Sequence, residues 1–206
     1  MNEEYLSVLY DIASKNATPG GGAVAALTLG HSYSLVCMVA RLTLGSDKWI
    51  EGHRISDDLI ELCEKGIVKS IELAEDDCDA FNNVMKSYKL PKGNESEIMM
   101  RKESIQQSSL EATLVPYMIA ERSLSLLELL PKFAIKANKN ALTDLASASQ
   151  LAHSSVHIAS LNVKVNTPNI LKENSLKFDE DIKKILAQSE QLNDEIHKII
   201  LSRLEW

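Results

Sequence analysis

The sequence predicts an all-α protein, a multi-helix bundle in a single domain spanning residues 1–206. Three observations carry that expectation. Only eight glycines and five prolines occur in 206 residues, none of the glycines after Gly93, whereas a sheet protein of this size needs many turns. Apolar residues recur at helical spacing along most of the chain, and no stretch alternates as a half-buried strand would. Aromatics are only 5%, so the core has to be built from small aliphatic side chains.

Residues 2–15 read as a short amphipathic helix with Leu6, Leu9, Tyr10 and Ala13 on one side. Asn16 to Gly22 breaks it, and Thr18 followed by Pro19 predicts a new start, with Thr18 as cap and Pro19 in the first turn. Residues 23–40 contain no Asp, Glu, Lys or Arg. Thr28, Gly30, His31, Ser32, Tyr33 and Ser34 near the middle favour a protein-packed helix over a membrane span.

Residues 51–89 form a long helical pattern. Its predicted seam is Ile67, Ile71, Ala74, Cys78, Phe81, Met85 and Tyr88, stepping by four and three. A further helix runs from Ser96 to Leu130, kinked or divided at Pro116 and stopped by Pro131. Asn138 to Asn140 reads as a loop. Thr143 or Asp144 then opens a second low-charge helix, uncharged from Leu145 to Val163 and closed by Asn166 to Asn169. Residues 178–204 form a last amphipathic helix. Two uncharged helices have to be surrounded by the others, and one chain provides little cover. A homodimer is therefore expected.

Net charge of −7 argues against nucleic acid or an anionic membrane as partner. The three cysteines are odd in number and lack a CxxC spacing. That fits a reducing, cytoplasmic compartment and not a zinc site. The N-terminus shows no basic region followed by an apolar run, so no signal peptide is expected.

Asp77 is the most informative carboxylate. Its helical neighbours Leu73, Ala74, Ala80 and Phe81 are all apolar, so it borders the buried stripe. Partial desolvation would raise its pKa toward the range useful for proton transfer; a rim aspartate held by a lysine or a cap is the alternative. Gly20, Gly21 and Gly22 at a helix start would let either a ligand or another helix approach closely. Asn138, Asp144, Asn162 and Asn166 are polar groups around an otherwise uncharged helix, with one another, backbone or a ligand as possible partners. His153 and His157 share a helix face without a third ligand, so ordinary helix packing is favoured and no metal site is assigned.

Four segments in order resemble the cyclodeaminase/cyclohydrolase family of folate enzymes. They are Ala17 to Ala26, Asp77-Cys78-Asp79-Ala80-Phe81, Asn138 with Thr143-Asp144, and Asn162-Val163-Lys164-Val165-Asn166. The resemblance implies an all-helical dimer acting on a one-carbon tetrahydrofolate, as a formimidoyltetrahydrofolate cyclodeaminase or a methenyltetrahydrofolate cyclohydrolase. It implies no cofactor beyond the folate and puts the catalytic aspartate at Asp77. Thr18 and Gly20 to Gly22 would form one wall of the site, and Asn138, Asp144, Asn162 and Asn166 would bond the pterin or amide. Ala137 replaces a common family glycine, Lys164 an apolar residue, and Ser46-Asp47 stand where basic residues are usual. Lys48 is left as the cation for the folate glutamate. A separate formimidoyltransferase is a possible partner. A glycine turn contributed across the dimer would make a monomer inactive. A non-catalytic helical dimer binding folate or a protein is the alternative from another class.

Overall fold

Small residues decide how these helices meet. A computed structural model describes residues 3–206, which form six α-helices and three 3-10 turns, with no strand among the described residues. The helices are α1 (Glu3–Ile12), α2 (Gly21–Leu44), α3 (His53–Tyr88), α4 (Glu95–Lys136), α5 (Leu142–Asn166) and α6 (Lys172–Leu204). Helix α2 packs against α3, α4 and α5, and α6 lies across α4 and α5. α2 is long and apolar enough to cross a bilayer by length and composition, but Ala25, Ala26, Leu29, Val36 and Val39 are fully buried in the bundle.

α2 and α3 run antiparallel and very close. A Cβ on Gly30 would collide with the Ser70 hydroxyl, and one on Gly66 would lie 2.7 Å from the Tyr33 ring. Against α5, serines replace bulk. Ser32 Oγ donates to the Ala148 carbonyl at 2.7 Å, and Ser155 Oγ donates to that of Ala25 at 2.8 Å. Each bond satisfies a hydroxyl that alanine-rich surroundings would otherwise strand.

The α3 seam differs from the expectation by one residue at most positions; of the predicted seam Ala74 is buried, and Ile67 and Cys78 are partly buried against the core. The side facing the bundle carries Leu59, Cys63, Gly66, Ser70, Leu73, Ala80 and Ser87, all buried, with half-buried Asp77 in the same stripe. The predicted seam lies one position further on, and Ile71, Phe81, Met85 and Tyr88 are 38–49% exposed. The physical reason is that the partner, α2, needs small residues opposite it. The bulky rhythm marks the other face.

Helix boundaries also differ, and α6 begins at Lys172, six residues before the expected start at 178. α2 begins at Gly21 with Gly20 as its cap residue in extended backbone, so Thr18 is not the cap and Pro19 lies outside the helix. The two prolines neither divide nor stop α4, which continues through Pro116 and Pro131 to Lys136. Proline removes the amide that would bond the carbonyl four residues earlier. For Pro116 that carbonyl is Ala112, and it accepts instead from Asn166 Nδ2 at 2.8 Å. The helix end is held by Arg203, which donates to the carbonyls of Ala134 and Ala137.

Candidate active site

The first turn of α2 has unbonded backbone amides and no side-chain cap of its own. A carboxylate from another helix fills the gap. The side chain of Asp77, on α3, lies against Gly22 so closely that any Cβ there would overlap it. Its carboxylate also accepts a hydrogen bond from the Ala23 amide. Burial pushes the Asp77 carboxyl up to about 6 from 3.8, and the Ala23 amide only partly offsets this. A half-buried acid of this pKa is suited to proton exchange near neutral pH. Its neighbour Cys78 is pushed up by burial and by the Asp77 charge, so it stays a thiol.

Asn162, on α5, supplies the facing wall. A Cβ on Gly21 would lie 3.4 Å from its Nδ2. That Nδ2 donates to the Ile158 carbonyl at 2.9 Å, and no donor among the described residues reaches its Oδ1. Asn166, one turn on, spends its Nδ2 on the carbonyls of Ala112 and Asn162. It anchors this end of α5 to α4. Thr18 lies half-buried in the loop leading to the glycines.

Asp77, Gly20 to Gly22 and Asn162 are therefore gathered at one end of α2, and the glycine turn meets Asp77 within the same chain rather than across an interface. Lys48, Asn138 and Asp144 are elsewhere. Helix α2 has 24 residues and so is about 36 Å long. Lys48 follows its far end, with its ammonium 5.0 Å from the Trp49 ring centre. Asn138 is used there structurally: its amide donates to Thr43 Oγ1, its Nδ2 to the Leu42 carbonyl, and its Oδ1 accepts from Asn140 N, each at 3.0 Å. Asp144 stands in the first turn of α5. The antiparallel α2–α5 register puts it some 14 residues from Gly22, or about 20 Å. His153 bonds Ser189 Oγ at 3.2 Å, as a packing histidine does, and no group of three His, Cys, Asp or Glu among the described residues is placed to hold a metal.

Two participants escaped the sequence reading. The Ala23 amide has no side-chain signature. The Ala112 carbonyl does have one, since a proline four residues later always frees a carbonyl.

A family model described as formiminotransferase-cyclodeaminase matches residues 5–186. A methenyltetrahydrofolate cyclohydrolase of Methylorubrum extorquens is 32% identical over 210 residues, 98% of each chain. The formimidoyltransferase-cyclodeaminase of Sus scrofa is 27% identical over 95% of this chain, which spans 36% of that longer protein. The crystal structure of a formiminotetrahydrofolate cyclodeaminase from Thermotoga maritima superposes with a TM-score of 0.78 at 26% identity, covering 100% of this chain and 96% of the other.

Proposed function

The chain belongs to the formiminotransferase-cyclodeaminase family, and from that premise we propose that it converts a one-carbon tetrahydrofolate with Asp77 as general acid and base. The observation that carries this reading is the position and acidity of one carboxyl. It lies against Gly22, is held by the Ala23 amide, and is pushed up to about 6 by burial.

As a cyclohydrolase, Asp77 takes a proton from water as the water oxygen attacks the methenyl carbon between N5 and N10. The carbon–N5 bond then breaks, Asp77 returns its proton to N5, and the hydroxyl proton leaves to solvent as the 10-formyl group forms. The substrate cation is stabilised by the carboxylate before attack. The Methylorubrum relative, which matches end to end, supports this direction. As a cyclodeaminase, N10 attacks the carbon of the formimidoyl group, which enters protonated as an amidinium, and gives its proton to Asp77. Asp77 passes the proton to the departing nitrogen, ammonia leaves, and the methenyl cation remains. The Thermotoga structure, also nearly full length, supports that reading. As a cyclodeaminase it would take its formimidoylated substrate from a formimidoyltransferase.

Asn162 Oδ1 is the acceptor offered to a pterin amino group. We read the exposed patch of Met38, Leu42 and Leu62 as covered by a second copy. In such a homodimer Lys48, Asn138 and Asp144 would approach a folate only from the partner. An arginine at Met38 should then leave a monomer in sedimentation.

The deciding experiment supplies purified protein with 5,10-methenyl- and with 5-formimidoyl-tetrahydrofolate and follows the methenyl absorbance. Turnover of either substrate, lost in Asp77→Asn, is expected. Binding without turnover of both would leave a folate-binding module in place of an enzyme.

A further inference from the structure

Helix α1 lies over the groove between α2 and α3 without sealing it. None of its residues is buried, and the space beneath it is a cavity of about 400 Å³. The walls are Val8 and Leu9 from α1, Val24 and Leu27 from α2, and Ile67 and Ile71 from α3. No Asp, Glu, Lys or Arg lines it among the described residues. At its edge the Tyr5 hydroxyl meets His31 Nε2 at 3.2 Å, with the rings edge to face. Thr28 and Ser34 also reach the cavity. Their hydroxyls donate to their own helix, at Val24 and Gly30, which leaves oxygen lone pairs as acceptors.

The cavity adjoins the acid. Val24 follows Ala23, whose amide holds Asp77, and Ile71 precedes Asp77 by six residues, about 9 Å along α3. Its volume falls within the usual range for small-molecule sites, and its uncharged lining excludes a carboxylate but suits a neutral ring.

We infer that this cavity beneath α1 is the subsite for the aromatic arm of the ligand, a neutral aminobenzoyl ring with its amide toward Thr28 and Ser34. The inference rests on the folate reading above, in which N10, the atom bearing that ring, reacts beside Asp77. A ligand bound this way straddles the acid: the pterin lies on the Asn162 side and the arene under α1. Helix α1 then acts as a roof whose apolar side chains gain cover from the ligand.

Tryptophan at Ile71 or at Val8 fills the cavity from opposite walls. Calorimetry on the full chain compares wild type with Ile71→Trp and Val8→Trp, using three probes: 4-aminobenzoylglutamate, a reduced pterin without the arm, and 5-formyltetrahydrofolate. Wild type should bind all three. A variant that keeps the wild-type helical signal should bind the arm fragment and the intact folate at least about ten-fold more weakly while keeping its affinity for the pterin. Folded variants that bind the arm fragment as wild type does would overturn the subsite, as would a wild type that binds pterin and folate but not the arm. A wild type that neither binds nor converts any folate would overturn the folate reading itself. Loss of helical signal in one variant leaves the other, on a different helix, to give the same comparison.

Discussion

Helix α3 presents two stripes one residue apart, and they do different things. The inner stripe holds Leu59, Cys63, Gly66, Ser70, Leu73, Asp77, Ala80 and Ser87, and the outer stripe holds Ile67, Ile71, Ala74, Cys78, Phe81, Met85 and Tyr88. The stripe packed into the bundle carries glycine and serine among its leucines. Close helix approach requires small side chains, and the close approach of α2 brings its amide end to Asp77. The outer stripe is bulkier and more exposed because it faces the cavity under α1 at one end and stays open at the other. At Gly66 and Ser70 small side chains mark where the two helices touch.

The sharpest way to break this contrast is at the acid. Asp77→Asn should reduce turnover by about 10²–10⁴-fold, and steady-state kinetics would show it as a kcat effect. Gly22→Ala should cost on the order of 10²-fold, because the new methyl displaces the carboxylate it meets. Wild-type rates from a Gly22→Ala protein would mean that the contact is irrelevant.

Stability should move in the opposite direction at the same residue. The folded-state pKa of Asp77 is raised, so the unfolded chain binds fewer protons between pH 3.8 and about 6, and this group makes stability fall as pH rises through that window. At about 1.36 kcal/mol for each pH unit, the deficit reaches about 3 kcal/mol above pH 6. Asp77→Asn still accepts from the Ala23 amide and should therefore unfold at higher urea than wild type at pH 7.5, with the gap closing toward pH 4. An equal gap at both pH values would refute the linkage.

The two stripes separate again under substitution. Gly66→Val drives a side chain into the Tyr33 ring and should cost about 1–3 kcal/mol or more in urea melts. Met85→Ala, on the open stripe, should stay within about 1 kcal/mol. A reversed order would show that the outer stripe, not the inner, is the packed one.

Asn166→Ala tests the anchor at the Asn162 wall. It strands the Ala112 carbonyl that Pro116 cannot bond, at a cost of about 1–3 kcal/mol. Adding Pro116→Ala restores an amide donor to that carbonyl, so the double variant should recover much of the loss. Simple additivity would deny the link between the two residues.

The sequence alone conveyed the helices and the acid better than their register. Long uncharged runs from residue 23 and from Leu145 announced α2 and α5, and Asp77 stood out by its apolar neighbours. Hydrophobic periodicity points one residue past most of the seam because it counts bulk, whereas glycine and serine at 66 and 70 carry the contact without it. By local rules Pro131 signals a stop, and the tertiary packing that carries α4 past it is invisible to them. Asn138 matched a motif, but it secures a loop to the far end of α2, with every polar atom of its side chain engaged. Asn162 and Asp77 are 85 positions apart, and only the glycine turn between them in space relates the two.

A carbon-detected NMR titration of the Asp77 side-chain carboxyl, assigned by its absence in Asp77→Asn, reads the proton-transfer claim at its source. A midpoint close to 6, displaced when folate binds, is the predicted result. A midpoint below about 4, that of a solvated aspartate, would contradict it.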